Sequence, residues 1–245
     1  MIQANRFSKV YDGFQAVNTL SFELPRGAVC GFVGPNGAGK TTTMRCLAGL
    51  LEASDGELHI GNFLVQSHDL DVKRRVVYVP DDPPLFDDLS VGDHLELIAS
   101  IYQTGQRSLP VETWVADFSL AQKWDARGSA LSRGMRQKLA ILCALVADPD
   151  VLLLDEPMTG LDPPAIRQLL QVVGEIAAAG KTVLISSHLL AMIADICTHF
   201  LFLSEGQRRF FGTAAELRAA YPDAVDLEAA FFMSIHRDAP EPASC

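Results

Sequence analysis

The chain has 245 residues, room for one large domain or a domain with a smaller lobe, and 49% of them are apolar, ample for a core. Its formal net charge of -10 excludes a general nucleic-acid binder, because phosphate neutralisation needs an excess of Lys and Arg. The longest apolar run, Leu139 to Ala147, has nine residues where a membrane span needs about 20, so any membrane role comes through a partner.

The start, Met1-Ile2-Gln3-Ala4-Asn5-Arg6, is followed by no apolar stretch and reads as no secretory signal. Residues Ala28 to Val33 form an apolar run entering a glycine loop, hence a buried strand. Met44, Leu47, Ala48 and Leu51 then follow helical spacing over Thr41 to Leu51. Val76 to Val79 is a β-branched strand stopped by Pro80. Ser90 and Asp93 have capping-box spacing, and Val91, Leu95, Ile98 and Tyr102 line one helical face. The stretch from Ser90 to Ala147 is predicted helical, broken at Gly105 and Pro110. Val151 to Leu154 returns to strand. Pro163-Pro164 open a helix with Ile166, Leu169, Leu170, Val173 and Ile176 on its apolar face and Gly180 as its terminal cap. Thr182 to Ile185 is strand, and Leu201 to Leu203 with Gly206 is a strand and hairpin turn. Thr213 with Glu216 caps a further helix, Asp226 to Phe232 forms another, and His236 to Cys245 is a polar, proline-rich tail. Alternating strands and helices predict an α/β fold with a mostly parallel sheet and a helical lobe inserted between strands. Cys30, Cys46, Cys143, Cys197 and Cys245 contain no C-x-x-C pair and read as reduced thiols of a cytosolic protein.

Gly34-Pro35-Asn36-Gly37-Ala38-Gly39-Lys40-Thr41 fits G-x-x-x-x-G-K-S/T, the phosphate-binding loop. Its glycines let successive backbone N–H groups curl around an anion, and the following helix offers its unpaired amides. Lys40 is placed to reach the β- and γ-phosphates, and the Thr41 hydroxyl, with Thr42 beside it, to bind Mg²⁺. Val151 to Leu154 delivers Asp155 and Glu156 to a strand tip near that loop. Asp155 suits the magnesium, and Glu156 suits an attacking water, the usual division of labour in phosphoryl transfer. His188 closes the next strand, within reach of a γ-phosphate. The other histidines, His59, His68, His94, His199 and His236, show no metal-ligand spacing.

With these residues in order, the chain resembles the ATP-binding subunit of an ABC transporter over nearly its whole length. The diagnostic segment is Leu131-Ser132-Arg133-Gly134-Met135, which resembles the family signature Leu-Ser-Gly-Gly-Gln. Ser132 reads as an N-cap, and Gly134 permits close backbone approach to phosphate. Thr159-Gly160-Leu161-Asp162 resembles the D-loop, Ser187-His188 the switch histidine, and Tyr11 the aromatic residue stacked on adenine. The resemblance implies a P-loop NTPase core with an N-terminal antiparallel β portion and an inserted α-helical subdomain. It places the ATPase domain at 1–212 (core 1–89 and 148–212, helical subdomain about 90–147) and a C-terminal helical extension and tail at 213–245. It also implies ATP and Mg²⁺ as ligands and a second nucleotide-binding domain, in a homodimer or related heterodimer, with ATP between the phosphate loop of one copy and the signature of the other. Transmembrane permease subunits are the further implied partners, holding the chain at the cytoplasmic face of the membrane. The implied function is ATP hydrolysis driving transport, with export favoured by the signature variant and the Asp226–Phe232 segment. Soluble ABC ATPases acting on nucleic acid or ribosomes, and non-hydrolysing ATP-gated modules, are the alternatives.

Two departures stand out. The signature carries Arg133 and Met135 in place of Gly and Gln, and Asp81 stands at the Q-loop position after Val77-Tyr78-Val79-Pro80. Asp81, Asp82, Asp87 and Asp88 bracket Pro83-Pro84-Leu85-Phe86, where the family receives the permease's coupling helix. This segment reads either as a solvated loop or as an acidic socket for a basic partner helix, with Leu85 and Phe86 as apolar anchors.

Overall fold

The structure, a computed structural model, describes residues 1–65, 70–105 and 110–236; His68 and the predicted tail beyond residue 236, with Cys245, lie outside the described residues. In chain order the elements are β1 (Ile2–Tyr11), β2 (Phe14–Leu24), β3 (Val29–Val33), α1 (Lys40–Leu47), β4 (Asp55–Ile60), β5 (Phe63–Leu64), α2 (Leu70–Lys73) and β6 (Val76–Val79). Then come α3 (Val91–Tyr102), α4 (Val111–Asp117), α5 (Arg133–Val146), β7 (Val151–Asp155), α6 (Pro163–Ala178) and β8 (Thr182–Ser186). The chain continues with α7 (Leu190–Ile193), β9 (His199–Ser204), β10 (Gln207–Thr213), α8 (Ala214–Ala220) and α9 (Leu227–His236).

The central sheet has the order β10-β9-β3-β8-β7-β6 and is parallel except for the β9–β10 hairpin. A second, antiparallel sheet runs β2-β1-β4-β5. The apolar runs read as buried strands because both faces of the central sheet are covered. Val29 and Val33 of β3, Leu152 and Leu154 of β7, and Val183 and Ile185 of β8 face one cluster with α5 and α6. Cys30 and Phe32, Val151 and Leu153, and Leu184 alternate onto the opposite cluster with α1 and the antiparallel sheet. The helices after residue 213 share the first cluster: Phe231 of α9 meets Phe202 of β9 edge-on at 5.5 Å.

The parallel order matters for the site. The carboxyl ends of β3, β8, β7 and β6 lie along one sheet edge, so the loops that leave them converge there. Gly39 turns the phosphate loop into α1 with φ of 102°, and a β-carbon there would stand 2.6 Å from the Ala16 carbonyl oxygen. The first helix ends at Leu47 instead of Leu51, where the Leu50 and Leu51 N–H groups both return to the Arg45 carbonyl.

The helical reading of Ser90 to Ala147, broken at Gly105 and Pro110, is corrected for its part beyond Phe118. Between Phe118 and Ser132 the chain runs through turns, with short 3-10 segments at Ala121–Lys123 and Gly128–Ala130. Ser119, between the buried Phe118 and Leu120, has φ of 60°, a left-handed conformation that ends the helix there. Residues 124 to 128 then lie strand-like against the start of α3, with Gly92 N–H donating to the Trp124 carbonyl and Gly128 N–H to that of Leu89.

Both predicted capping boxes form, at Ser90/Asp93 and Thr213/Glu216. Hydrogen bonds from the Ser90 hydroxyl and backbone hold the Asp93 carboxyl below its ordinary 3.8. A depressed carboxyl stabilises the fold above its unfolded value and loses that contribution as pH falls through the folded one. Ser90→Ala is therefore expected to cost about 1 kcal/mol. The gap in urea midpoint between parent and Asp93→Ala should be open at neutral pH and narrow below pH 3.8; a gap independent of pH would contradict the capping account.

Candidate functional site

Four elements meet at Asp155, the last residue of β7, which is 4% exposed. The Thr41 hydroxyl, from the first turn of α1, donates to its Oδ2 at 2.6 Å. The Tyr78 hydroxyl, from β6, donates to the same oxygen at 3.1 Å. Ser186, at the end of β8 and in register with Asp155, donates to Oδ1 at 2.7 Å. Burial, then the neighbouring Asp155 charge, pushes the Tyr78 hydroxyl up to about 12, so it stays a donor through the neutral range. Sequence reading had marked Asp155 and Thr41 and missed Tyr78 and Ser186. A hydroxyl or phenol within the last two residues of each neighbouring strand is the signal that points to them.

Lys40 is 8% exposed, and its Nζ donates to the carbonyls of Gly34 at 2.7 Å and Pro35 at 3.1 Å. Burial lowers its pKa, opposed by the charges of Glu156 and Asp155. Glu156 leaves β7 in a left-handed conformation, φ of 50°, with its N–H held at 2.9 Å by the Ser186 oxygen. Its Oε2 accepts from the His188 N–H at 3.1 Å and lies 2.8 Å from His188 Nδ1. The two residues read as water-directing and phosphate-sensing are thus in direct contact.

A cleft of about 250 Å³ runs from Tyr11 and Phe14 along residues 36–42 to Asp155 and Glu156. Tyr11 and Phe14 face each other across the β1–β2 turn and are 38% and 66% exposed, with the Lys9 ammonium 5.1 Å from the Tyr11 ring. Phe14 is a second aromatic at this end that sequence reading did not single out.

Leu131 to Met135 does not line this cleft. Leu131 is buried, Ser132 caps α5 by accepting from the Met135 N–H at 3.3 Å, and Met135 packs on the core. Gly134 approaches another segment of its own chain so closely that a β-carbon would stand 2.4 Å from the Gly160 carbonyl oxygen. Asp162 caps α6 through the Ala165 N–H at 2.9 Å and meets Lys138 Nζ at 3.1 Å. These two contacts, the Ala165 N–H first, hold its carboxyl below the ordinary range.

The expectation of an acidic socket is corrected. Asp81 lies 3.5 Å from Arg133, Asp87 3.2 Å from Arg136 and Asp88 4.0 Å from Arg127, so three of the four aspartates face arginines of the same chain. The segment is thus a surface of mixed charge rather than a purely acidic one, with Asp82 and Asp88 exposed on it. Its apolar side remains: Leu85 and Phe86 border a groove of about 210 Å³ together with Leu97 and Ile98 of α3.

Residues 17–159 match the ABC transporter family. The ATP-binding protein EcsA of Bacillus subtilis, an ABC-type transporter component, is 34% identical over 209 residues, 84% of each chain. The Nod factor export ATP-binding protein I of Ralstonia nicotianae is 35% identical over 214 residues, 85% of this chain and 66% of that protein. Among solved structures, an ATP-binding subunit of an ABC transporter superposes with a TM-score of 0.89 at 29% identity, covering 96% of this chain and 99% of that one. The cassette MJ0796, solved as a dimer in a post-hydrolysis state with ADP and Pi, matches with a TM-score of 0.77 over 87% and 99%. At 21% identity that likeness speaks to the fold alone. The chain belongs to the ABC transporter family as an ATP-binding subunit, with the α/β P-loop architecture of that class. It is an ABC-type ATPase.

The hydroxyl of Ser186 serves both carboxylate residues, donating to Asp155 and accepting from the Glu156 N–H. Ser186→Ala should lower the ATPase rate by about tenfold, the kinetic equivalent of one lost hydrogen bond to a charged group. Steady-state turnover checks it, and a rate equal to the parent's would remove Ser186 from the site.

Proposed function

We propose that the chain binds Mg²⁺·ATP at the cleft between Tyr11 and Glu156, with the signature of a second nucleotide-binding domain closing over the nucleotide. Closure and hydrolysis drive separate transmembrane subunits at the cytoplasmic face of a membrane. The observation that carries this reading is the convergence of Lys40, Thr41, Asp155, Glu156 and His188 on one sheet edge.

The residues fit a magnesium ion. A threonine hydroxyl and a buried carboxylate oxygen lie 2.6 Å apart, both hard oxygen donors. Among the described residues no cluster of three or more His, Cys, Asp or Glu is placed to hold a metal. Thr41 and Asp155 would hold the magnesium, and it would neutralise charge on the β- and γ-phosphates.

The backbone amides of residues 34–41 and the Lys40 ammonium bind and orient the phosphates. Tyr11, aided by Phe14, covers the base. The Glu156 carboxylate orients a water in line with the γ-phosphate and receives its proton as the P–O bond to ADP breaks. ATP and water thus give ADP and phosphate. His188, held by Glu156 through Nδ1, presents Nε2 to the γ-phosphate and keeps the Glu156 carboxylate aimed. Ser132, Gly134 and Arg133 serve the nucleotide of the neighbouring copy, as the family's head-to-tail arrangement implies; their position away from the cleft of their own chain is compatible with it. Asp162 stands at that interface as part of the D-loop.

No described helix is long and apolar enough to cross a membrane. We assign the transport path to partner subunits by the family resemblance. The apolar groove beside Leu85 and Phe86 is the surface offered to them. Export is the favoured direction, supported by the name of the Ralstonia nicotianae relative.

Glu156→Gln should lower turnover by about 10² to 10⁴ and leave a dimer that persists in ATP. Phosphate release and sedimentation in ATP against ADP read the two effects. An undiminished rate would displace Glu156 from its role. Co-purification from membranes should bring down a multi-spanning protein; recovery of ribosomes or nucleic acid instead would favour the soluble alternative.

A further inference from the structure

The two sites at which the chain departs from the family pattern face each other. Arg133 occupies the first turn of α5 where the signature ordinarily has glycine, and Asp81 follows β6 where glutamine is usual. Arg133 Nη2 lies 3.5 Å from Asp81 Oδ1. A glycine at 133 has no side chain to make this contact, and a glutamine at 81 has no charge to attract it.

The pair is not an ordinary surface ion pair. Asp81 is 47% exposed as a side chain, yet its Oδ1 is shut from solvent and has no hydrogen-bond partner. That oxygen is compensated by the guanidinium through charge alone, and losing the guanidinium leaves a desolvated charged oxygen without compensation. The Arg133 stem also runs over the D-loop, since a β-carbon placed on Gly160 would stand 3.8 Å from its Cγ and Cδ. One side chain therefore touches the Q-loop position and the D-loop while belonging to the signature. The loop that carries Asp81 continues to Leu85 and Phe86 at the apolar groove.

We propose that Asp81 is a positioning residue for Arg133, and that the pair sets the signature half-site offered to the neighbouring copy by the position of the loop that borders the groove. This rests on the head-to-tail dimer of the proposed function. A shift of less than an ångström turns the 3.5 Å approach into a hydrogen-bonded pair. Movement of the 81–86 loop then reaches the neighbour's nucleotide through one guanidinium.

The test is a double-mutant cycle in the full-length Glu156→Gln chain. The ATP concentration for half-maximal dimer formation is measured by sedimentation for Asp81→Asn, Arg133→Gln, both together, and the swapped pair Asp81→Arg with Arg133→Asp. Each single change should raise that concentration about fivefold, the upper range for a partly exposed pair. The double should be no worse than the poorer single, and the swap should recover most of the loss. Arg133→Lys should fall between parent and Arg133→Gln. The differences should shrink at about 1 M salt, where screening acts within about 3 Å. ATP affinity of the dilute monomer should not move, which separates a dimer effect from general damage to the fold. Additive single effects, or Asp81→Asn dimerising at the parent's ATP concentration, would overturn the inference while leaving the dimer intact. A parent that does not dimerise in ATP would overturn the dimer reading and this inference with it.

Discussion

The molecule is organised around a carboxylate held in a place almost closed to solvent. Asp155 is 4% exposed, and an isolated carboxylate so placed is costly. Three hydroxyl donors from α1, β6 and β8 offset that cost, and each arrives from a different part of the chain. The clamp thus ties the phosphate loop to both strands that flank β7. It can exist only because the parallel order β3-β8-β7-β6 brings those carboxyl ends to one edge. Ser186 extends the constraint one residue further, since the same oxygen that donates to Asp155 accepts from the Glu156 N–H. The residue that steadies Asp155 therefore also fixes the backbone of Glu156, whose carboxylate is proposed to direct the water.

How far the sequence revealed this depended on the range over which each feature is encoded. Gly34 to Thr41 is a local motif, and its strand, turn and helix all follow from adjacent residues. Capping boxes at Ser90 and Thr213 were legible for the same reason, each closing over three residues. Tyr78 and Ser186 were not, because their roles arise from register between strands far apart in sequence. The stretch between Phe118 and Ser132 was misread as helix because its composition is helix-compatible. What decides it is tertiary, namely the burial of Phe118 and Leu120 and backbone bonds to the start of α3.

Charge showed the same limit. Four aspartates between 81 and 88 look like an acidic patch when read along the chain. In space three of them meet Arg127, Arg133 and Arg136, which come from the far end of the helical stretch. Net charge constrains the partners of a whole molecule, whereas a local run of one sign constrains them only after its cis partners are known. The groove beside this segment must therefore be read by its apolar wall, Leu85, Phe86, Leu97 and Ile98, rather than by the aspartates.

The signature and the D-loop are the last step, because they lie outside the cleft yet are built as one piece. Gly134 admits the Gly160 carbonyl where any β-carbon would collide. Lys138, one turn further along α5, is largely buried and bonded to Asp162. A displacement of α5 relative to the core therefore carries the 159–162 loop with it, or breaks both contacts. Under the proposed dimer, these two segments would face the neighbour's nucleotide together, so one chain would present its half-site as a unit. The Asp155 clamp ties together the residues of the other proposed half-site. What remains adjustable between them is the seam where Asp81, Asp87 and Asp88 meet three arginines through partly exposed, salt-screened contacts. Within that seam Asp87 and Asp88 are the more exposed partners, while Asp81 turns a solvent-shielded oxygen to Arg133.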